Sequence, residues 1–92
     1  MRILVVRLGS LGDIIHTLPA VAALRRALPD ARIDWVVEAA HQEVVARVSA
    51  IDARIVLEER TVTAWLNTAA ILRRRGYDAA IDFQGLFKSA LL

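Results

Sequence analysis

The chain has 92 residues, a formal net charge of +2 and no cysteine. Disulfides and thiolate metal sites are therefore excluded, and so small a positive charge does not indicate a nucleic-acid partner. Because charges interrupt the apolar stretches long before the roughly 18 to 20 residues of a membrane span, and the apolar run at residues 3–6 is too short for a signal peptide, we expect a cytoplasmic protein.

Chain length permits one domain only, although 57% of the residues are hydrophobic. A domain of this size buries little more than about 60% of its unfolded surface, so its stability is marginal without help. Residues 83–92 resemble an unfinished helix that has no cap and no polar tail. We therefore expect the chain to be the N-terminal piece of a longer protein.

The first predicted element is a strand over residues 1–6, whose successive apolar side chains indicate burial on both faces of a parallel sheet. A glycine-containing turn leads into a helix from Asp13 to Leu28, with apolar residues at the spacing of one buried face. Pro19 interrupts this helix. It predicts either a bend near residues 16 and 17 or a short first turn before a main helix that starts at Pro19.

Strand and helix alternate through the rest of the chain. The predicted elements are a strand at 32–38, a helix at 39–49, a strand at 53–57, a helix from Thr63 to Arg75 ended by Gly76, a strand at 77–83 and the start of another helix. This pattern predicts an α/β fold, a Rossmann-like parallel sheet with helices on both faces. In the common strand order 3-2-1-4, the loops after strands one, two and four meet at one edge, where ligands bind.

Two expectations concern the helices themselves. In the helix that starts at Thr63, one apolar stripe with core-facing side chains is expected to contain Trp65, Leu66, Ala69 and Leu72. The arginines near predicted helix ends, at positions 25, 26 and 73–75, are expected to complement the helix dipoles and to remain in solvent.

The loop after the first strand contains Gly9, Ser10 and Gly12 and is followed at once by Asp13. Its Gly-x-x-Gly spacing lacks a glycine of the dinucleotide fingerprint. The glycines serve either a tight turn with close helix packing, or the approach of a bulky polar substrate to amides at the helix start. Asp13 opposes a bound phosphate and suits a carboxylate that accepts a proton, with a helix cap as the alternative.

His16 follows Asp13 by three residues on the same helical face. It either packs against the core or orients Asp13 or the substrate. The two histidines of the chain, His16 and His41, show no ligand spacing with each other or with the acids. We therefore predict no metal site and no cofactor.

Basic residues in two later segments are candidate contacts for an anion. Lys88 opens the last predicted helix beside Gln84 and Gly85. A lysine at a helix N-terminus opposes the dipole, so its position indicates either an anionic substrate group or plain exposure to solvent. Arg60, in the polar segment after the third strand, is a second candidate with a weaker case.

Several of these stretches resemble the start of the bacterial lipopolysaccharide heptosyltransferases of glycosyltransferase family 9. The matching segments are residues 3–7, 10–19, 34–38 and 77–89, in the order and spacing of the family. The run His16-Thr17-Leu18-Pro19 is similar to the type I enzymes rather than to type II. Gly9 departs from the family pattern, which more usually has Ser or Thr at this position, and so offers no side-chain contact there.

The resemblance implies the N-terminal, acceptor-binding half of a two-domain GT-B enzyme, whose C-terminal half binds the nucleotide sugar. It implies inverting transfer of heptose from ADP-heptose to Kdo of the lipid A inner core, in peripheral contact with the inner membrane. Asp13 falls on the family's catalytic base. The substrate-binding residues are then Gly9, Ser10, Gly12, His16, Arg60, Gln84, Gly85 and Lys88, and Arg7 is a further possible contact for the acceptor's anionic groups. Residues 1–92 alone are expected to be inactive.

Two other functions remain open from the residues alone. A nucleotide-binding or NAD-binding half would place a pyrophosphate over Gly9 and Gly12 and a ribose on Glu38. The missing glycine and the adjacent Asp13 count against it. A non-catalytic interaction domain would instead dimerise through an exposed apolar edge.

Overall fold

A computed structural model describes residues 1–57 and 62–82 of the chain. Within them the elements are β1 (Arg2–Val6), α1 (Leu11–Ala27), β2 (Arg32–Glu38), a 3₁₀ turn (Ala39–His41), α2 (Gln42–Ala46), β3 (Ala53–Leu57), α3 (Val62–Arg75) and β4 (Ala79–Asp82). All described strand pairs are parallel, in the order β3-β2-β1-β4. The predicted fold class and strand order are confirmed.

The central position of β1 follows from its side chains. Residues 3–6 are apolar and almost completely buried, as a strand with neighbours on both sides and helices on both faces requires. Val5 pairs with Trp35 of β2 on one side and with Ile81 of β4 on the other. The loop that follows β1 therefore begins in the middle of the sheet.

Two apolar layers lie on opposite faces of the sheet. Side chains from α1 and α2 pack on the first face, in a cluster of Ile3, Val5, Ile14, Val21, Ala31, Ile33, Trp35, Val37 and Val45. Leu72 of α3 packs on the second face, with Leu4, Val6, Leu8, Val36, Ile55 and Leu57. Alternate residues of β1 and β2 thus supply both layers. The prediction of helices on both faces is confirmed.

The helix α1 is continuous from Leu11 to Ala27, with Pro19 inside it. The alternative in which a separate main helix starts at Pro19 is therefore wrong. Proline cannot donate to the carbonyl of Ile15, but the Ile15 side chain is exposed, so this part of the helix faces water. One turn earlier, the Thr17 hydroxyl donates to the carbonyl of Asp13 at 2.8 Å.

Other boundaries differ from prediction for local reasons. The helix predicted at 39–49 consists of the 3₁₀ turn and the short α2, because the amides of Arg47 and Val48 bond three residues back and tighten the last turn. The helix α3 starts one residue early and is followed, as predicted, by Gly76 in the left-handed region, at φ 65°. Strand β4 starts two residues later than predicted.

The predicted apolar stripe on α3 is wrong at Leu66, whose side chain is 61% exposed. Thr68 and Leu72, four residues apart, are buried instead. The prediction counted apolar residues only, and the polar Thr68 on the buried face was therefore left out of the stripe.

No helix in the described ranges is both long and apolar enough to cross a membrane.

A polar network fixes the end of α3 to β2. Asp34 is fully buried and accepts a hydrogen bond from the Tyr77 hydroxyl at 2.6 Å, while Arg75 lies 3.6 Å and Arg32 3.2 Å from its oxygens. Arg75 is therefore not the solvated arginine that was expected. Burial, and then the Asp34 carboxylate, raise the pKa of Tyr77 to about 12, so the phenol remains a donor at neutral pH.

Arg25 also differs from expectation. Its guanidinium donates to the carbonyls of Ala50 at 2.9 Å and Ala31 at 2.6 Å, and to the Asp52 carboxylate at 2.7 Å. The same carboxylate accepts the Ile33 amide at 2.7 Å. That amide bond is the largest cause of the lowered pKa of Asp52, and Arg25 adds to it. Arg25 thus joins the end of α1 to the starts of β2 and β3.

Replacing Arg25 by Ala should lower the free energy of unfolding by about 1–3 kcal/mol, because the carbonyls and the carboxylate lose a shared donor. Arg26→Ala is the matched control, since Arg26 is an exposed neighbour on the same helix. Urea unfolding of the two variants and the parent protein measures the difference. Equal stability of the two variants would contradict the contribution assigned to Arg25.

Stability should also fall in acid. Because the folded pKa of Asp52 is lowered from 3.8, its contribution is complete above that value and is lost as the pH falls through the lower folded pKa. The difference in free energy of unfolding between the parent protein and Arg25→Ala should therefore become smaller below pH 3.8. Urea titrations at pH 7 and in this acid range test it, and a constant difference in the free energy of unfolding would mean that the pairing of Arg25 with the Asp52 carboxylate contributes nothing to stability.

Candidate functional site

The loop after β1 is fixed to the end of β2. The indole N–H of the buried Trp35 donates to the carbonyl of Arg7 at 3.0 Å. Backbone bonds join Arg7 to Val36 at 3.3 Å and Glu38 to Leu8 at 3.1 Å. The Leu8 side chain is buried in the layer beneath α3. Residues 7–10 are thereby held at the carboxyl edge of the sheet, where the sequence placed the site.

Asp13 lies in the first turn of α1, for which Ser10 is the N-cap. Its Oδ2 accepts the backbone N–H of Ser10 at 3.2 Å, with the Ser10 hydroxyl at 3.4 Å. Its Oδ1 forms an ion pair with the Arg7 guanidinium at 3.0 Å. The side chain is 49% exposed. Asp13 therefore caps the helix, as one alternative predicted, and still presents its carboxylate to solvent.

The pKa of Asp13 is lowered from 3.8, chiefly by the backbone hydrogen bond from Ser10; desolvation opposes this shift, and the charge of Arg7 adds to the lowering. The carboxylate is consequently ionised throughout the neutral range. Such a group is a weak base towards water, but it accepts a proton from a hydroxyl whose acidity rises as its oxygen forms a new bond. The arrangement suits proton removal from an attacking alcohol.

The two glycines of the loop differ in their surroundings. Gly9 is buried, and a Cβ at this position would lie 2.9 Å from Cδ2 of His41. Gly12 is exposed within the first turn of α1, and a Cβ there would have no atom within 4 Å. The packing explanation therefore fits Gly9, whereas at Gly12 the missing side chain leaves open space at the surface of the first helical turn. That opening is compatible with substrate access.

His16 is exposed, so the alternative in which it packs against the core is wrong. It lies three residues after Asp13 in α1, next to the exposed Ile15. Ser10 is exposed as well. The structure thus places Ser10, Gly12, Asp13 and His16 at the beginning of one helix, and their contact with a substrate stays a prediction.

The other predicted substrate-binding residues, Arg60, Gln84, Gly85 and Lys88, lie outside the described residues. Strand β4 does end at the expected edge, because Asp82 pairs with Val6, the last residue of β1. The three strands that were expected to converge therefore do so.

A nucleotide pyrophosphate or a metal ion finds little support in this loop. The first amide that a phosphate would use at the start of α1, that of Ser10, already donates to the Asp13 carboxylate. Within residues 1–57 and 62–82, no group of three His, Asp or Glu side chains could hold a metal ion. The NAD-type alternative is thus disfavoured by geometry as well as by spacing.

Sequence reasoning missed the contact between Gly9 and the His41 ring. Glu38 also lies near, with its carboxyl carbon 3.8 Å from a Cβ at residue 9. From the sequence alone, His41 was a candidate only for a metal ligand and Glu38 only for a ribose ligand. No local signal pairs positions 32 residues apart, and the one available indication was a glycine where related proteins have a larger residue.

Comparison with known proteins gives a consistent result. No family model matches the chain. Over its full length it is 41% identical to lipopolysaccharide heptosyltransferase 1 of Pseudomonas aeruginosa and 37% identical to that of Escherichia coli K12. The chain spans 29% and 32% of these relatives, less than one third of their length.

Solved structures show the same likeness. The Escherichia coli heptosyltransferase WaaC with ADP matches all of the chain at a TM-score of 0.75 and 37% identity, with 30% of its own length covered. The Escherichia coli ADP-heptose lps heptosyltransferase II matches 99% of the chain at 0.81 and 27% identity, with 27% covered. A glycosyl transferase family 9 protein of Veillonella parvula also matches at 0.81 and 30% identity, over 88% of the chain and 25% of its own length.

The backbone does not separate type I from type II, because the type II structure has the higher TM-score and the lower identity. The sequence does, as the curated relatives at 37–41% identity are type 1 enzymes. The resemblance inferred from the motifs is thereby confirmed. Over its whole length, the chain is similar in sequence and in fold to the N-terminal part of lipopolysaccharide heptosyltransferases and of a glycosyl transferase family 9 protein.

Proposed function

We propose that the protein containing this chain is an inverting heptosyltransferase of the GT-B type, which transfers heptose from ADP-heptose to a Kdo residue of the lipopolysaccharide inner core. Residues 1–92 form the acceptor side. The observation that carries the proposal is the ionised, half-exposed Asp13, held by Ser10 and Arg7 at the carboxyl edge of the sheet. The similarity to heptosyltransferase 1 over the full chain supports the substrate class.

The reaction is a single displacement. A hydroxyl oxygen of the acceptor attacks the anomeric carbon of heptose, and the bond from that carbon to the diphosphate oxygen breaks on the opposite face. ADP leaves with the bonding electron pair, and the hydroxyl proton passes to a free lone pair of Asp13. The ionised state of Asp13 lets it take this proton without a prior proton loss.

Arg7 and Ser10 prepare Asp13 for this role. One carboxylate oxygen is held by the guanidinium and the other by the Ser10 amide. A carboxylate offers about four lone-pair sites, so these bonds fix its plane and leave sites for the acceptor hydroxyl. The pre-organised geometry removes the need to orient the base during the reaction.

The remaining parts of the proposal lie beyond the described residues. Arg60, Gln84, Gly85 and Lys88 contribute to acceptor binding, and the positive charges of Lys88 and Arg60 suit its anionic groups. A C-terminal domain binds ADP-heptose and stabilises the leaving diphosphate. Because the acceptor is a lipid, the protein works in peripheral contact with the cytoplasmic face of the inner membrane. The chain by itself is then inactive, and detectable transfer of heptose by residues 1–92 would overturn this division of labour.

Replacing Asp13 by Asn in the full-length protein should remove most turnover and leave acceptor binding nearly intact. Asparagine retains an oxygen that can accept the Ser10 amide, but it cannot take a proton. Heptose transfer and acceptor binding are measured side by side. Asp30→Asn, an exposed acid beyond the other end of α1, serves as the matched control and should keep parental turnover. Unchanged turnover in Asp13→Asn would reject the base assignment.

Gly12→Ala should separate stability from function. A Cβ at Gly12 meets nothing within 4 Å, and alanine in a helix is more stable than glycine by about 0.5–1 kcal/mol, so the free energy of unfolding should rise. The added methyl narrows the space beside Asp13, so the KM for the acceptor should rise as well.

Gly76→Ala is the matched control for Gly12→Ala. Gly76 also has open space, but its φ of 65° penalises alanine by about 1–2 kcal/mol. This variant should lose stability and keep the acceptor KM. Urea unfolding and steady-state transfer measure both quantities. An unchanged acceptor KM in Gly12→Ala would show that the acceptor does not use this opening.

A further inference from the structure

The His41 ring occupies the space that a side chain at residue 9 would fill. A Cβ built on Gly9 lies 2.9 Å from Cδ2 and 3.1 Å from Nε2 of His41. Separations under 3.0 Å between a Cβ and another heavy atom are essentially absent from real proteins. A side chain at residue 9 would therefore displace the His41 ring from this position.

The chain path brings this ring to the edge that carries Asp13. His41 ends the 3₁₀ turn directly after β2, and Gly9 lies in the loop after β1. The two strands are neighbours in the sheet, and the backbone bond between Glu38 and Leu8 joins the points where they end. The contacted glycine precedes the N-cap Ser10, which bonds to Asp13. His41 thus adjoins the loop that fixes the base.

The nitrogens of the ring are not used to hold the fold together. His41 is partly exposed, and its imidazole makes no hydrogen bond or ion pair with the described part of the chain. The Trp35 indole, which is fully buried nearby, does donate to a carbonyl. Because His41 is partly exposed, its imidazole can instead contact a ligand.

We propose that His41 is a specificity-determining residue for the acceptor: its imidazole forms a wall of the acceptor pocket and hydrogen-bonds an oxygen of the acceptor sugar. Imidazole supplies a donor in either protonation state, which suits the hydroxyl and carboxylate oxygens of a sugar acid. Gly9 is the residue that admits the ring to this position. The proposal deepens the proposed function and rests on it for the identity of the acceptor.

Steady-state transfer by full-length variants tests the contact. His41→Ala should raise the KM for the acceptor about tenfold, the equivalent of one lost hydrogen bond, with little change in kcat or in the KM for ADP-heptose. His41→Phe is the matched control, because it keeps an aromatic ring and removes both nitrogens. His41→Phe should raise the acceptor KM as much as His41→Ala does. Parental acceptor KM in either variant overturns the hydrogen bond.

A double-mutant cycle tests the pairing with Gly9. Gly9→Ser should raise the acceptor KM by displacing the ring, and should add nothing further in the presence of His41→Ala, because the atoms it displaces are then missing. Independent effects, whose free energies add, would overturn the pairing. Thermal unfolding of each variant shows which of them fold. If Gly9→Ser alone is less stable than the parent protein, adding His41→Ala should restore its thermal stability.

A binding measurement separates this inference from the proposed function. The ring protons of His41 in the full-length protein are followed by NMR during titration with Kdo monosaccharide, and Asp13→Asn is titrated alongside. If the His41 signals shift with Kdo but the protein transfers no heptose, the acceptor contact is supported and the proposed reaction is rejected. If the protein transfers heptose and the His41 signals do not shift, the contact is rejected and the proposed reaction stands.

Discussion

The indole N–H of Trp35 is the group on which the site's geometry depends. This ring is fully buried in the sheet, and a buried donor without a partner is costly, so its bond to the carbonyl of Arg7 fixes the first residue beyond β1. The bond between Glu38 and Leu8 continues the attachment. From this fixed point the chain reaches Ser10 and starts α1. A core side chain thereby determines where a surface carboxylate lies.

Asp13 shows why capping and chemistry are compatible roles for one residue. The cap uses an oxygen lone pair and lowers the pKa, which keeps the carboxylate charged. Arg7 holds the second oxygen and completes the orientation. A carboxylate without these bonds would be a stronger base, but it would rotate freely. The interactions that stabilise the helix start therefore also orient the carboxylate, so the capping role of Asp13 is compatible with its proposed role as a base.

Local patterns predicted the features that depend on near neighbours: the buried strand β1, the alternation of strands and helices, and the stop at Gly76. The strand order followed from a common topology. Several errors concern contacts between distant positions, as with Arg25, which bonds Asp52, and Arg75, which pairs with Asp34. Nothing in the local sequence distinguishes such arginines from solvated ones. The His41 contact belongs to the same class, because only the folded sheet brings two loop ends together.

The two edges of the sheet contribute differently to the molecule. At the amino edge, polar side chains pair with one another: Arg25 with Asp52, and Tyr77 and Arg75 with Asp34. Those bonds join helix ends to strand starts and serve stability. At the carboxyl edge, Asp13 is half exposed, Gly12 faces open space and His41 is partly exposed. Because the amino edge holds the elements together, the carboxyl edge can leave polar groups and a helix-weakening glycine available to a ligand.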